Sequence, residues 1–117
     1  MVIEEKRKKP RVHTVNLISY TSLGERGNSV EQGMGKALDI GQGGILIETQ
    51  VPIKAQLILL TSVNVNEELI KVKGKVVYCR EVNSNIFHTG VRFEESSNRV
   101  REIVSELIKA FLETKKG

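Results

Sequence analysis

Cysteine is nearly absent from this chain, with Cys79 standing alone among 117 residues. An internal disulfide is therefore impossible, and a reducing, cytoplasmic setting is expected. Cys79 itself reads as a small strand residue. Histidine is also scarce: His13 and His88 are isolated, and no Cys/His cluster has the spacing that holds zinc. Asp39 is the only aspartate, no carboxylate pair suggests acid–base work, and no nucleophile sits beside an evident base. These absences point away from an enzyme and from any cofactor. With Tyr20, Tyr78, Phe87, Phe93 and Phe111 the aromatics are complete. Strand parity turns Tyr78, Phe87 and Phe93 inward, leaving little for base stacking, so nucleic acid is not an expected partner. Long apolar runs are missing as well. Leu57 to Leu60 falls far below the ~20 residues of a membrane span, and the N-terminus is charged where a signal peptide would be apolar.

What the chain does have is unevenly placed positive charge. The net charge is +4, yet residues 1–11 carry five basic and two acidic side chains while residues 12–91 carry seven of each sign. The excess therefore belongs to an arm with Lys6, Arg7, Lys8, Lys9 and Arg11 around Pro10. Such a stretch has no apolar face to bury and is expected to order only against an anion. The remainder, 12–117, is expected to form one domain, since a hydrophobic content of 39% over this length suffices for a core without disulfide or metal.

The pattern predicts strands followed by one helix. Val12 to Leu23 is β-branched and aromatic, with Val12, Thr14, Asn16, Ile18 and Tyr20 on one face. Residues 24–33 read as a polar loop. Met34 to Ile40 and Ile45 to Thr49 flank a glycine-rich turn in a hairpin-like arrangement. After Pro52, Ala55 to Ser62 reads as a strand buried on both faces. Leu69 to Val82 alternates, with Ile70, Val72, Gly74, Val76 and Tyr78 on one side, Lys71, Lys73 and Lys75 on the other, and a bulge expected at Gly74. Phe87, Thr89, Val91 and Phe93 alternate inward in a sixth strand, leaving His88 as a solvated ring. Six short strands with frequent glycine suggest a small antiparallel barrel.

The last segment changes period. Val100, Ile103, Val104, Leu107, Ile108, Phe111 and Leu112 step by three and four, which predicts a helix over about 96–114 with one apolar stripe. Ser96, Ser97 or Asn98 can cap its start. The helix is expected to pack against the barrel or close one end.

Two motifs remain, Arg7-Lys8-Lys9-Pro10-Arg11 and Asp39-Ile40-Gly41-Gln42-Gly43-Gly44. Alone, neither is specific: the seven arginines give about 0.4 pairs at spacing four by chance, and hairpins commonly use glycine. Together they supply two guanidinium forks, a carboxylate and close-approach glycines, the groups needed to hold a purine nucleotide with its phosphates.

With these motifs the sequence resembles the PilZ domain family, bacterial receptors for the second messenger cyclic di-GMP. The resemblance spans nearly the whole chain: Arg7-x-x-x-Arg11 before the first strand, Asp39-x-Gly41-x-x-Gly44 in the turn, and Gly90-Val91-Arg92-Phe93 near the end. It implies a six-stranded antiparallel β-barrel with a C-terminal helix. One position departs, since Gly41 stands where the family usually has serine. A lost hydroxyl contact costs about 0.5–1.5 kcal/mol, or about 1.5–3 kcal/mol where the partner is charged.

The resemblance implies roles for particular residues. Arg7 and Arg11 would fork onto guanine O6 and N7 or a phosphate, and Asp39 would accept from guanine N1 and its exocyclic amine. Gly41, Gly43 and Gly44 would let the backbone approach the ligand, while Lys8 and Lys9 would add attraction without a fork. The expected function is a cytoplasmic, bacterial cyclic di-GMP receptor that orders its arm on binding and signals to a separate, unidentified protein effector. The alternative is a degenerate member that binds no nucleotide and acts as a protein-interaction adaptor, and Gly41 is its reason.

Overall fold

Alternation carries the first strand. In β1 (Val12–Leu23), Ile18, Tyr20 and Ser22 are buried while Leu17 faces out, and β-branched and aromatic side chains suit such a half-buried pleated surface. The computed structural model describes residues 12–63, 66–94 and 98–116. The arm, and with it Arg7, Lys8, Lys9 and Arg11, lies outside these residues. Within them the strands are β1, β2 (Ser29–Ile40), β3 (Gly44–Thr49), β4 (Leu57–Val63), β5 (Leu69–Asn83) and β6 (Ile86–Phe93), followed by the helix α1 (Asn98–Lys116). The strands close into a barrel in the order β1-β2-β3-β6-β5-β4, every neighbouring pair antiparallel. Closure leaves no sheet edge exposed.

The core is built largely from isoleucine. Ile18, Ile40, Ile45, Ile47, Ile58 and Leu60 are almost fully buried, and α1 adds Val104, Leu107, Ala110 and Phe111 at helical spacing. The helix packs on β1, β4 and β5. Antiparallel pairing puts the start of β1, the end of β4 and the start of β5 at one end of the barrel, so α1 closes that end. Burying a leucine-sized side chain contributes about 1.5–3 kcal/mol, enough to fix the helix by its stripe alone. Leu112 on the expected stripe is exposed. Of the expected caps, Asn98 begins the helix, whereas Ser96 and Ser97 lie outside the described residues.

Several elements differ from the sequence expectation. The polar stretch 24–33 is not all loop, because β2 starts at Ser29 and its first half pairs with β1 through Ser22↔Glu31 and Tyr20↔Gly33. Ladder hydrogen bonds hold this exposed ribbon, so it needs no apolar face. β4 is buried on one face only: Ile58 and Leu60 point inward and Leu57 and Leu59 are half-buried. The bulge in β5 is not at Gly74. At Gly74 the missing side chain makes room for Val91, which a methyl group would overlap. Register shifts fall instead between Val76 and Tyr78 and between Glu81 and Asn83. His88 is half-buried, its Nε2 lying 3.7 Å from Glu48 Oε2.

Tyr20 is the one aromatic inside the barrel whose titration is clearly displaced. Burial, reinforced by the negative charge of Glu31 and then by Cys79, holds its phenol above the ordinary value of 10.0.

Candidate functional site

The glycine-rich turn sits at the barrel end that α1 closes, and pairing brings the arm's attachment point to it. Val12, the residue following Arg11, pairs with Ile40, the last residue of β2, and His13 pairs with Asp39. The turn is closed internally, for Gly41 N donates to the Gly44 carbonyl at 3.0 Å and Phe93 N donates to the Gly43 carbonyl at 3.0 Å.

The glycines in it differ in purpose. Among the described residues positive φ occurs at Gly27, Glu67 and Asn85, so none of the turn's glycines is there for a left-handed conformation. Gly44 is needed for packing, because a side chain would overlap the Val91 carbonyl of β6. Gly43 is exposed, with open space where a side chain would be. Gly41 is buried.

Asp39 reaches the outer surface through an irregularity. In the β2–β3 pairing Ala37 opposes Ile47 and Asp39 opposes Leu46, leaving Leu38 as an extra residue. Strict alternation from the buried Ala37 would have sent Asp39 inside; the bulge sends Ile40 inside instead. Asp39 then lines a shallow groove of about 310 Å³ with Gly43, Gly44, Tyr78, Gly90 and Arg92. Asp39, Gly43 and Gly44 thus meet in one place, while Gly41 is not among the groove's walls.

Tyr78 is a correction to the sequence reading. It was expected to point inward with Val76, but Val77 is the extra residue of a second bulge, and beyond it the parity of β5 flips. Tyr78 is 45% exposed. Its ring covers Gly90, where any side chain would collide with it, and the Arg80 guanidinium lies 5.7 Å from the ring centroid, within cation–π range.

Two further groups were missed. Arg92 stands between buried Val91 and Phe93, so alternation alone could have placed it outside, opposite Gly44 on one side and Lys75 on the other. Two cations facing each other across a strand pair repel, which favours an anion beside them. Gln42 sends its Nε2 to Ser105 Oγ of α1 at 2.8 Å, across 63 residues of sequence. No local pattern could have announced that contact.

The arrangement offers a carboxylate acceptor, a guanidinium fork, an aromatic face and open backbone in one groove. Among the described residues no group of three or more His, Cys, Asp or Glu side chains could hold a metal ion. The family model of the PilZ domain matches residues 5–110. The chain belongs to the PilZ domain family. Among solved structures it is similar to the PilZ domain of CeSA from a cellulose-synthesizing bacterium, at 13% identity and a TM-score of 0.63, covering 91% of this chain and 98% of that one. It is similar to the PilZ domain with c-di-GMP of YcgR from Escherichia coli, at 10% identity and a TM-score of 0.64, with 95% of each chain covered. The MrkH–c-di-GMP complex of K. pneumonia gives 17% identity and a TM-score of 0.62, covering 94% of this chain but only 54% of MrkH. At such identities the likeness is one of fold. No curated protein matches the chain. As a PilZ domain it carries no sign of a catalytic family, and among its described residues no helix is long and apolar enough to cross a membrane.

Proposed function

We propose that this PilZ domain is a receptor for cyclic di-GMP that acts in the bacterial cytoplasm. The observation that carries the reading is the β1–β2 register, in which Val12, one residue after Arg11, pairs with Ile40 at the mouth of the glycine-rich turn. Val12 is thus joined to the strand that carries Asp39, which lines the groove with Gly43 and Gly44, and this supports a role for the preceding Arg7 and Arg11 there. The c-di-GMP in the YcgR and MrkH structures supports the same choice of ligand.

In this reading Arg7 and Arg11 fork onto guanine or phosphate oxygens, and Lys8 adds positive charge. Asp39 accepts from a guanine Watson–Crick edge. Gly43 and Gly44 admit the ligand to the backbone. Gly41 takes the place of the family serine, and its N–H bond to Gly44 closes the turn without a hydroxyl. Ordering the arm costs about 2–5 kcal/mol of the contact energy, and the ordered arm is the signal read by a separate effector protein. Calorimetric titration with cyclic di-GMP tests this, with Arg11→Ala as control. Saturable heat that vanishes in the variant supports the receptor; silence at millimolar ligand favours the degenerate adaptor instead.

A further inference from the structure

The parity flip in β5 has a cost that needs a return. It leaves Val77 unpaired and 61% exposed and turns Tyr78 out of a strand whose preceding inward positions, Ile70, Val72 and Gly74, are buried. A tyrosine kept inward would have added core. Here its ring covers Gly90 and borders the groove, with the Arg80 guanidinium over it, 5.7 Å from the ring centroid. Gly90 is what allows the ring to lie against β6, since any side chain at that position would collide with it.

Resting on the nucleotide reading above, we propose that Tyr78 is a base-stacking residue of the ligand groove. A purine ring of the ligand takes the place over the Tyr78 ring that the Arg80 guanidinium now holds, and the planar guanidinium moves to the rim of the stack. Each group present has a use in this arrangement. The Tyr78 face takes the base by offset stacking, Asp39 meets hydrogen-bond donors on the base edge, and Arg92, set against Lys75, faces the phosphates. Arg80 stays within stacking distance of ring or base, because a guanidinium plane packs on either. The stacking face comes from β5 and β6, in the groove that Asp39, Gly43 and Gly44 also line.

The competing explanation is that Tyr78 merely covers Gly90. Tyr78→Leu keeps a cover of similar reach but removes the π-face, whereas Tyr78→Phe keeps the face and loses only the hydroxyl. Titration with cyclic di-GMP should therefore find Tyr78→Phe close to the unsubstituted protein and Tyr78→Leu roughly 5- to 150-fold weaker, at matched melting temperature. A spectroscopic arm reads the stack directly. The chain has no tryptophan and two tyrosines, so in a Tyr20→Phe background Tyr78 is the sole tyrosine and its emission should be quenched saturably by cyclic di-GMP, beyond the absorption loss given by equal free GMP. If the unsubstituted protein binds and Tyr78→Leu binds equally well, or the emission does not change, the stacking proposal is overturned and the receptor stands. If the unsubstituted protein does not bind, both fall.

Discussion

Asp39 and Tyr78 sit on different strands, yet each is turned into the same groove by a single extra residue, Leu38 in one strand and Val77 in the other. A bulge re-aims every side chain beyond it for the loss of one ladder pairing. Here two such shifts converge on one patch of the outer surface.

Asp39→Ala and Arg92→Ala are expected to weaken cyclic di-GMP binding by roughly 10- to 150-fold each, the range of a lost hydrogen bond to a charged group. Neither side chain belongs to the buried core, so melting temperatures should move little. Calorimetry beside thermal melts checks both statements, and a large melting shift without a loss of affinity would count against the site.

Gly43→Ala and Gly44→Ala should separate binding from folding. At Gly43 a methyl group meets nothing within 4 Å, so the variant should keep its stability and lose affinity where the ligand needs the bare backbone. At Gly44 the methyl group meets the Val91 carbonyl, and about 1–3 kcal/mol of destabilisation is expected from overpacking. Urea midpoints with and without ligand distinguish the two.

Alkaline pH should loosen the barrel through Tyr20. Its phenol titrates above 10.0 in the folded protein because burial, then Glu31 and Cys79, disfavour the phenolate. Below pH 10 both states hold the proton and the shift has no effect. Above it the unfolded chain gives up the proton more readily, so stability falls as pH rises toward the folded value. Urea unfolding at pH 8 to 11 should show a steeper alkaline loss for the native chain than for Tyr20→Phe.

Leu107→Ala should cost about 2–5 kcal/mol, since Leu107 is 1% exposed in the helix stripe that closes the barrel. Chemical denaturation gives the figure directly. A loss under 1 kcal/mol would show that α1 contributes little to the core.

How far the sequence revealed this molecule follows from which features are local. Alternation in Ile70, Val72 and Gly74 and the three-four spacing of Val104, Leu107 and Phe111 are visible in single segments, and they gave six strands, one helix and the barrel. The first half of β2 was not visible, because an exposed ribbon held by backbone pairing leaves no apolar signature. Tyr78 was misplaced because a bulge is a property of two strands in register, and the residues around Val77 carry no mark of it. Asp39 stood out for its rarity and its turn, although its place in the groove depends on the extra residue Leu38. Arg92 was legible between Val91 and Phe93 but passed over. The contact between Gln42 and Ser105 was beyond reach, since only the closed barrel brings them together.

That contact gives the helix a second attachment, beyond its apolar stripe. With Gln42 Nε2 held 2.8 Å from Ser105 Oγ, the apex of the turn and the middle of α1 share one tether. Any rearrangement of the turn must either carry the helix surface with it or let it go. A chain cut before Asn98 would therefore lose both the side chains that close the core and the tie that joins the turn to the helix.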